Sequence, residues 1–229
     1  KRKDIRINDI VKIERAGDVI PHVIEVDKNK RSKKISKSFT FPIKCPSCGS
    51  NTIKEFNKIT KKYDAVRRCT NDGFGCERIA IEKIKHFISK EAFNIDGLGK
   101  KVVEKFWELN LIKKPSDIFK LNFYKIKKLE GWGEISVNNL KKSIEKSKNT
   151  SLQRIIYSIG IRHIGIENAK IISDNIKSIS NFIKIIDTNN FEKFLNIDGI
   201  GVTQIKSLKN FFSNKLNVAT VNELNTILK

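Results

Sequence analysis

A chain of 229 residues has room for one large domain or two to three small ones. Its 46 basic and 25 acidic residues leave a formal charge of +21, which suits a polyanionic partner and argues against an acidic one. No apolar run is long enough to span a bilayer and no signal-peptide pattern opens the chain, so a membrane protein is excluded and a cytoplasmic one expected. The chain opens at Lys1 and contains no methionine, so it is expected to be a piece of a longer protein. The charge excess is +7 over 1–44, +5 over 45–90, +5 over 91–150 and +4 over 151–229, so no single tail carries it. A surface basic along its whole length matches a long polyanion such as duplex DNA. Codon bias is the competing explanation, because the chain is also rich in Ile and Asn.

Residues 1–38 read as strands, with apolar alternation at Ile5 and Ile7, at Val11 and Ile13, and across Val19–Val26. Arg15-Ala16-Gly17-Asp18 is the expected turn. A small closed barrel needs about five strands, so these would be the last strands of a partial barrel. Taken alone these are only a strand pair, and Lys12, Glu14 and Arg15 could equally be an ordinary solvated face. Lys28-Asn29-Lys30-Arg31-Ser32-Lys33-Lys34 reads as a solvated basic linker.

Residues 39–78 hold all four cysteines. Cys45-Pro46-Ser47-Cys48-Gly49 is a metal knuckle: two thiolates two residues apart face one ion, and the glycine lets the backbone turn beneath them. Cys69 and Cys76 form the second half, and the residues between the pairs suffice for a hairpin through Thr52–Phe56 and Tyr63–Arg67. A closed set of four sulfurs predicts one structural zinc ion with no open position for chemistry. A pair of disulfides is the rival. His86, in a helical stretch beside Phe87, is a spare ligand at most.

From Ile79 to the end the pattern is helical, beginning with a helix over 79–89. Within 79–229 one phrase recurs: Phe93-Asn94-Ile95-Asp96-Gly97-Leu98-Gly99, Leu129-Glu130-Gly131-Trp132-Gly133, Ile161-Arg162-His163-Ile164-Gly165 and Asn196-Ile197-Asp198-Gly199-Ile200-Gly201. The second glycines are 34, 32 and 36 residues apart, the regular period of a repeated unit. Four and seven residues past each stands an apolar pair: Val103 and Phe106, Val137 and Leu140, Ala169 and Ile172, Ile205 and Leu208. That spacing is the inner stripe of a helix.

The pattern predicts helix, tight hairpin, helix, with the first glycine ending the first helix at positive φ. The second glycine keeps the hairpin clear of side chains. Bare amides at the start of the following helix then make a seat for a phosphate without reading bases. Gly97, Gly99, Gly131, Gly133, Gly165, Gly199 and Gly201 are the candidate DNA-binding positions, and Lys100 and Lys101 add charge beside the first seat. Arg162-His163 replaces the first glycine in the third copy, so that hairpin is the one expected to pack rather than bind. Trp132 is either a wedge against DNA or a cap on a neighbouring helix, and Phe106 and Trp107 read as core. Each Gly-x-Gly taken alone is equally a sharp turn in an all-helical domain.

The repeats resemble the helix-hairpin-helix motif, and four in tandem resemble that domain of bacterial NAD-dependent DNA ligases. Asp4-Ile5-Arg6-Ile7-Asn8-Asp9 with Arg15-Ala16-Gly17-Asp18-Val19-Ile20-Pro21 resembles the end of the oligonucleotide-binding (OB) barrel of the same family. The resemblance implies a multi-domain, mainly α chain: OB-type strands (1–38), a four-cysteine zinc finger (39–78) and an all-α tandem helix-hairpin-helix domain (79–229). It also implies a monomer gripping nicked double-stranded DNA for nick sealing in replication and repair, with the barrel along the minor groove at the nick and Lys12 and Arg15 as phosphate contacts. A BRCT domain would follow in the family.

NAD and Mg would serve the adenylating lysine of the parent enzyme, which sits in a Lys-x-Asp-Gly motif. Here Asn94 and Asn196 occupy the lysine's place in Asn94-Ile95-Asp96-Gly97 and Asn196-Ile197-Asp198-Gly199, so no catalytic residue is assigned and the piece alone is expected to be inactive. Two departures stand out: six residues separate Cys69 from Cys76, and Glu77 stands where the family usually has proline. The rival readings are a stand-alone zinc and helix-hairpin-helix repair module, and a helical protein-interaction array.

Overall fold

The computed structural model describes residues 3–17, 20–32, 34–57, 60–71 and 73–228. Asp18 and Val19 of the expected turn, Lys33 of the basic run and Asp72 of the second cysteine loop lie outside the described residues. The chain divides into two compact units, 1–46 with 51–68, and 47–50 with 69–229. The described residues are mainly helical, with small antiparallel strands and no closed barrel.

In the first unit β1 (Val11–Ala16) and β2 (Ile20–Val26) form an antiparallel ribbon, with Val11 opposite Val26 and an irregularity between Lys12 and Ile13. Ile5 and Ile7 form no strand of this ribbon; Ile7 makes an isolated bridge to Lys37. In the described part of the basic run, Lys28, Asn29, Lys30 and Lys34 are exposed as a solvated linker requires, but Arg31 is paired and 28–30 form a turn. Asp27 caps a 3-10 turn at Lys28–Lys30, accepting from the amides of Asn29 and Lys30. Arg31 then grips both carboxylate oxygens of Asp9 at 2.9 and 2.7 Å, and Asp4 at 2.7 Å. The Asp9 side chain is 1% exposed. Further on, β4 (Phe56–Asn57) pairs with β5 (Lys62–Tyr63), and β3 (Thr52–Ile53) with β6 (Arg68–Cys69). No apolar side chain among the described residues 3–68 is buried.

The second unit contains α1 (Glu77–Phe87), α2 (Lys100–Glu108), α3 (Phe123–Lys127), α4 (Glu134–Ser147), α5 (Leu152–Ser158), α6 (Ile166–Ile176), α7 (Ile179–Asp187), α8 (Val202–Phe212) and α9 (Lys215–Ile227). The first helix starts two residues earlier than the periodicity suggests, because Cys76 is an extended N-cap and Glu77 places an acid on the positive helix end. All eight stripe residues of α2, α4, α6 and α8, from Val103 to Leu208, are buried in one continuous apolar core. Phe106 and Trp107 belong to it. Trp132 is half-buried with its ring 5.4 Å from that of Phe106, so it packs on α2.

Polar links brace the core from outside. Lys85 of α1 reaches Glu104 of α2 at 2.7 Å, which raises the lysine's pKa and lowers the carboxyl's. Glu223 of α9 accepts from Lys114 and Ser116, and the lysine holds its carboxyl below the usual range.

Candidate metal centre and nucleic-acid interface

The sulfurs of Cys45, Cys48, Cys69 and Cys76 all lie within 4.8 Å of one another. Cys48 Sγ is 3.5 Å from Cys69 Sγ, far beyond the ~2.04 Å of a disulfide. Four thiolates about 2.3 Å from a central ion at tetrahedral angles stand just under 4 Å apart, so the donor set fits one ion. The Asn71 amide donates to Cys69 Sγ at 3.3 Å, supporting a sulfur that carries charge. Cys76 is both a donor and the N-cap of α1, so the cluster is tied directly to the first helix. His86 lies outside the cluster: its Nε2 is 2.8 Å from the Tyr157 carbonyl oxygen and its ring packs on Tyr157.

The long loop between Cys69 and Cys76 has a structural role that its spacing does not disclose. Phe74 packs against the helical core, and Lys83 Nζ sits 5.4 Å from the centre of its ring and 5.3 Å from that of Phe211. Gly73, at φ +94, stands beside the Asn214 side chain. The extra residues thus carry a wedge to the end of α8.

The four hairpins share one geometry. Gly97, Gly131 and Gly199 have φ of +89, +80 and +86, and His163 takes the same left-handed position at +62. These residues do not end the preceding helices, as the repeat suggests: α1 stops at Phe87 and α3 at Lys127. Gly131, His163 and Gly199 occupy the third position of a β-turn, closed by Trp132 N to Leu129 O, Ile164 N to Ile161 O, and Ile200 N to Ile197 O. Histidine tolerates positive φ better than branched residues, so the third hairpin keeps the shape without glycine. The residue between turn and helix points inward: Leu98, Ile164 and Ile200 are buried.

Gly99, Gly133, Gly165 and Gly201 are the N-caps of α2, α4, α6 and α8, all exposed and all extended, at φ from −64 to −107. That backbone accepts any residue. A Cβ would meet nothing within 4 Å at Gly99, Gly133 or Gly165, and only Gln204 Oε1 at 3.5 Å at Gly201. Neither backbone strain nor internal packing calls for glycine there. The first amides to reach an intrahelical carbonyl are those of Val103, Val137, Ala169 and Ile205, bonded to the cap residues. The three amides before each therefore point out of the helix end.

Lys100 and Lys101 are exposed at the first of these ends. Hairpins are braced in pairs by polar side chains that the repeat does not single out. Ser143 Oγ of α4 accepts from the Asp96 amide at 2.8 Å, and Asn168 Nδ2 of α6 donates to the Gly199 carbonyl at 3.0 Å. In the other unit Lys12 is exposed and 3.5 Å from Glu25, and Arg15 is exposed opposite Pro21. No helix among the described residues is long and apolar enough to cross a membrane.

These features define a helix-hairpin-helix protein with an attached four-cysteine cluster, and the family model described as "Helix-hairpin-helix motif" matches residues 154–221. The curated relatives are DNA ligases. One from Pelagibacter ubique (strain HTCC1062) is 62% identical over 97% of this chain and 33% of its own length. Those of Rickettsia canadensis (strain McKiel) and Parvibaculum lavamentivorans are 42% and 38% identical, over 99% and 95% of this chain and 34% and 32% of theirs. The chain spans about a third of the length of the curated relatives it matches.

Proposed function

We propose that this chain is the DNA-gripping, C-terminal region of an NAD-dependent DNA ligase, holding nicked duplex through the phosphate backbone while an adenylation domain elsewhere in the enzyme seals the nick. The observation that carries the reading is the second glycine of each hairpin, free of internal contacts at Gly99, Gly133 and Gly165 and followed by unbonded helix amides. Only something outside the molecule gains from the missing side chain, and amides with the helix dipole behind them favour an anion. The turn glycines Gly97, Gly131 and Gly199 shape the seats, and Lys100 and Lys101 strengthen the first.

The domain limits proposed are 1–38, 39–78 and 79–229. In the first, β1 and β2 belong to an OB-type barrel completed by strands of the same ligase, with Lys12 and Arg15 as contacts to the DNA backbone. Cys45, Cys48, Cys69 and Cys76 hold one structural zinc, which fixes the knuckle and takes no part in the reaction. NAD and Mg act in the parent enzyme, so this piece is inactive alone. It works as a cytoplasmic monomer in replication and repair.

Binding to nicked, continuous and single-stranded DNA across a salt series tests the proposal. Duplex affinity should fall with a log–log slope of about −0.9 per phosphate neutralised. A variant with Gly99, Gly133 and Gly165 all changed to Asp should lose most of that affinity while keeping its helical circular dichroism. Undiminished binding by the folded variant would replace phosphate seats with simple turns.

A further inference from the structure

Among the described residues of the helical unit, the most exposed aliphatic side chains are Ile135 and Val202, at 79% and 75%. Each lies within two residues of a hairpin's second glycine, and Ile166, 38% exposed, occupies the equivalent place in the third hairpin. The first hairpin has Lys100 and Lys101 at these two positions. The first two helical residues of the others are Glu134 and Ile135, Ile166 and Glu167, and Val202 and Thr203, so at these two helix positions each has one apolar side chain and no cation. A helix start ordinarily favours acidic or small polar residues, which complement the dipole and the open amides. An exposed β-branched apolar residue does neither. An apolar residue at one of the first two helical positions in three of the four hairpins marks a surface that is covered when the protein works.

We infer that Ile135, Ile166 and Val202 are apolar DNA contacts, packing on the deoxyribose faces that flank each seated phosphate. The inference rests on the phosphate-seat reading above. An occupant close enough to the open amides that follow Gly133, Gly165 and Gly201 to place a phosphate there brings the two adjoining sugars within reach of the next side chains. The sugar face is the apolar part of a backbone that the +21 charge otherwise attracts. The hairpins therefore divide the work. The first holds DNA by charge, and the other three by amides and sugar contact. Glu134 and Glu167 reinforce the division: an acid beside a seat weakens its Coulomb attraction, and Glu134 is only partly offset by Lys127 at 3.5 Å.

Charge and sugar contacts separate in a salt titration, because only neutralised phosphates release counterions. The chain carrying Ile135→Ser and Val202→Ser, compared with one carrying Lys100→Ser and Lys101→Ser, is titrated with fluorescent nicked duplex by anisotropy from low to moderate salt. The apolar pair should weaken binding roughly three- to tenfold per residue with an unchanged salt slope. The lysine pair should make the slope shallower by up to about 2. Ile135→Leu with Val202→Leu should restore most of the loss. Unchanged affinity in the serine pair, or loss accompanied by a changed slope, overturns the sugar contacts. If the lysine pair still changes the slope in that case, the phosphate seats stand without them. Because both side chains are exposed, circular dichroism should report an intact fold in every variant.

Discussion

The two compact units hold their shapes by different means. Within 69–228 an unbroken apolar core joins the inner face of every hairpin helix, whereas residues 3–68 bury no apolar side chain and depend on point contacts. Those contacts are the Arg31 grip on Asp4 and Asp9, the Asp27 cap and the sulfurs of Cys45 and Cys48, which cluster with those of Cys69 and Cys76. A continuous core responds to volume and is nearly blind to solution chemistry, while point contacts answer to pH and metal. The first part should therefore be conditional on its surroundings and the second should not.

Metal removal should break the comparison open most widely. Zinc binding is worth roughly 10–16 kcal/mol in small four-ligand peptides, and nothing else in residues 41–76 offers that much. Chelation, or Cys48→Ser, should abolish amide protection through the knuckle while helical circular dichroism persists. Protection unchanged in the metal-free chain would show that the sulfurs are not what holds this segment. The converse test is Leu140→Ala. Leu140 is fully buried and touches the Gly97 turn, so truncation should cost about 2–5 kcal/mol in urea unfolding and leave metal affinity unaltered.

Acid should loosen the first unit most, because its ion pairs have no apolar core behind them, whereas Glu104, Glu192 and Glu223 of the second unit, also held below the usual range by lysines, flank one. The Arg31 guanidinium donates to Asp9 and Asp4 and holds both carboxyls below the usual range. A carboxyl whose folded pKa is depressed contributes stability that is complete above its unfolded value, about 3.9, and is lost as pH falls through the lower folded value. Protection of the Ile7 amide, bonded to the Lys37 carbonyl, should therefore fall below about pH 3.9, and Arg31→Gln should weaken it already at neutral pH. Equal protection in wild type and variant across that range would remove Arg31 from the account.

Periodicity made the helical part legible because its apolar residues serve one purpose: the stripe from Val103 to Leu208 is the core, and four cysteines at knuckle spacing are a cluster. Long-range partners were not legible. Arg31 lies in a run of like charge whose composition suggests solvation, and its partner Asp9 is 22 residues away, so no local period connects them. The left-handed His163 was hidden because histidine is uncommon at positive φ, although its register with Gly97, Gly131 and Gly199 pointed to it. Ser143 was discoverable in principle, as a polar residue three positions past Leu140 near the buried face of α4. Phe74 had no signal beyond a loop longer than the family's.

The smallest expected change in stability is the most informative about function. Apart from α1, which begins on Cys76, helices that do not follow a hairpin tip begin on capping side chains: Asn122 for α3, Ser151 for α5, Ser178 for α7 and Asn214 for α9. The four at hairpin tips begin on glycine, and at Gly99, Gly133 and Gly165 no side chain substitutes for the cap. If these glycines served the fold, replacing one should harm it. Gly133→Asp meets open space in an extended backbone and supplies the missing acceptor and a favourable charge at the helix end, so it should raise stability by a few tenths to about 1 kcal/mol. The same carboxylate occupies the amides and repels a phosphate, so duplex binding should weaken as unfolding moves to higher denaturant. Ser178→Ala, at a helix that follows no tip, should do the reverse, losing about 1 kcal/mol with DNA affinity intact. Stability and affinity moving in opposite directions at the tip, and only there, is what a seat kept bare for a ligand requires. Both falling together at Gly133 would return that glycine to the fold.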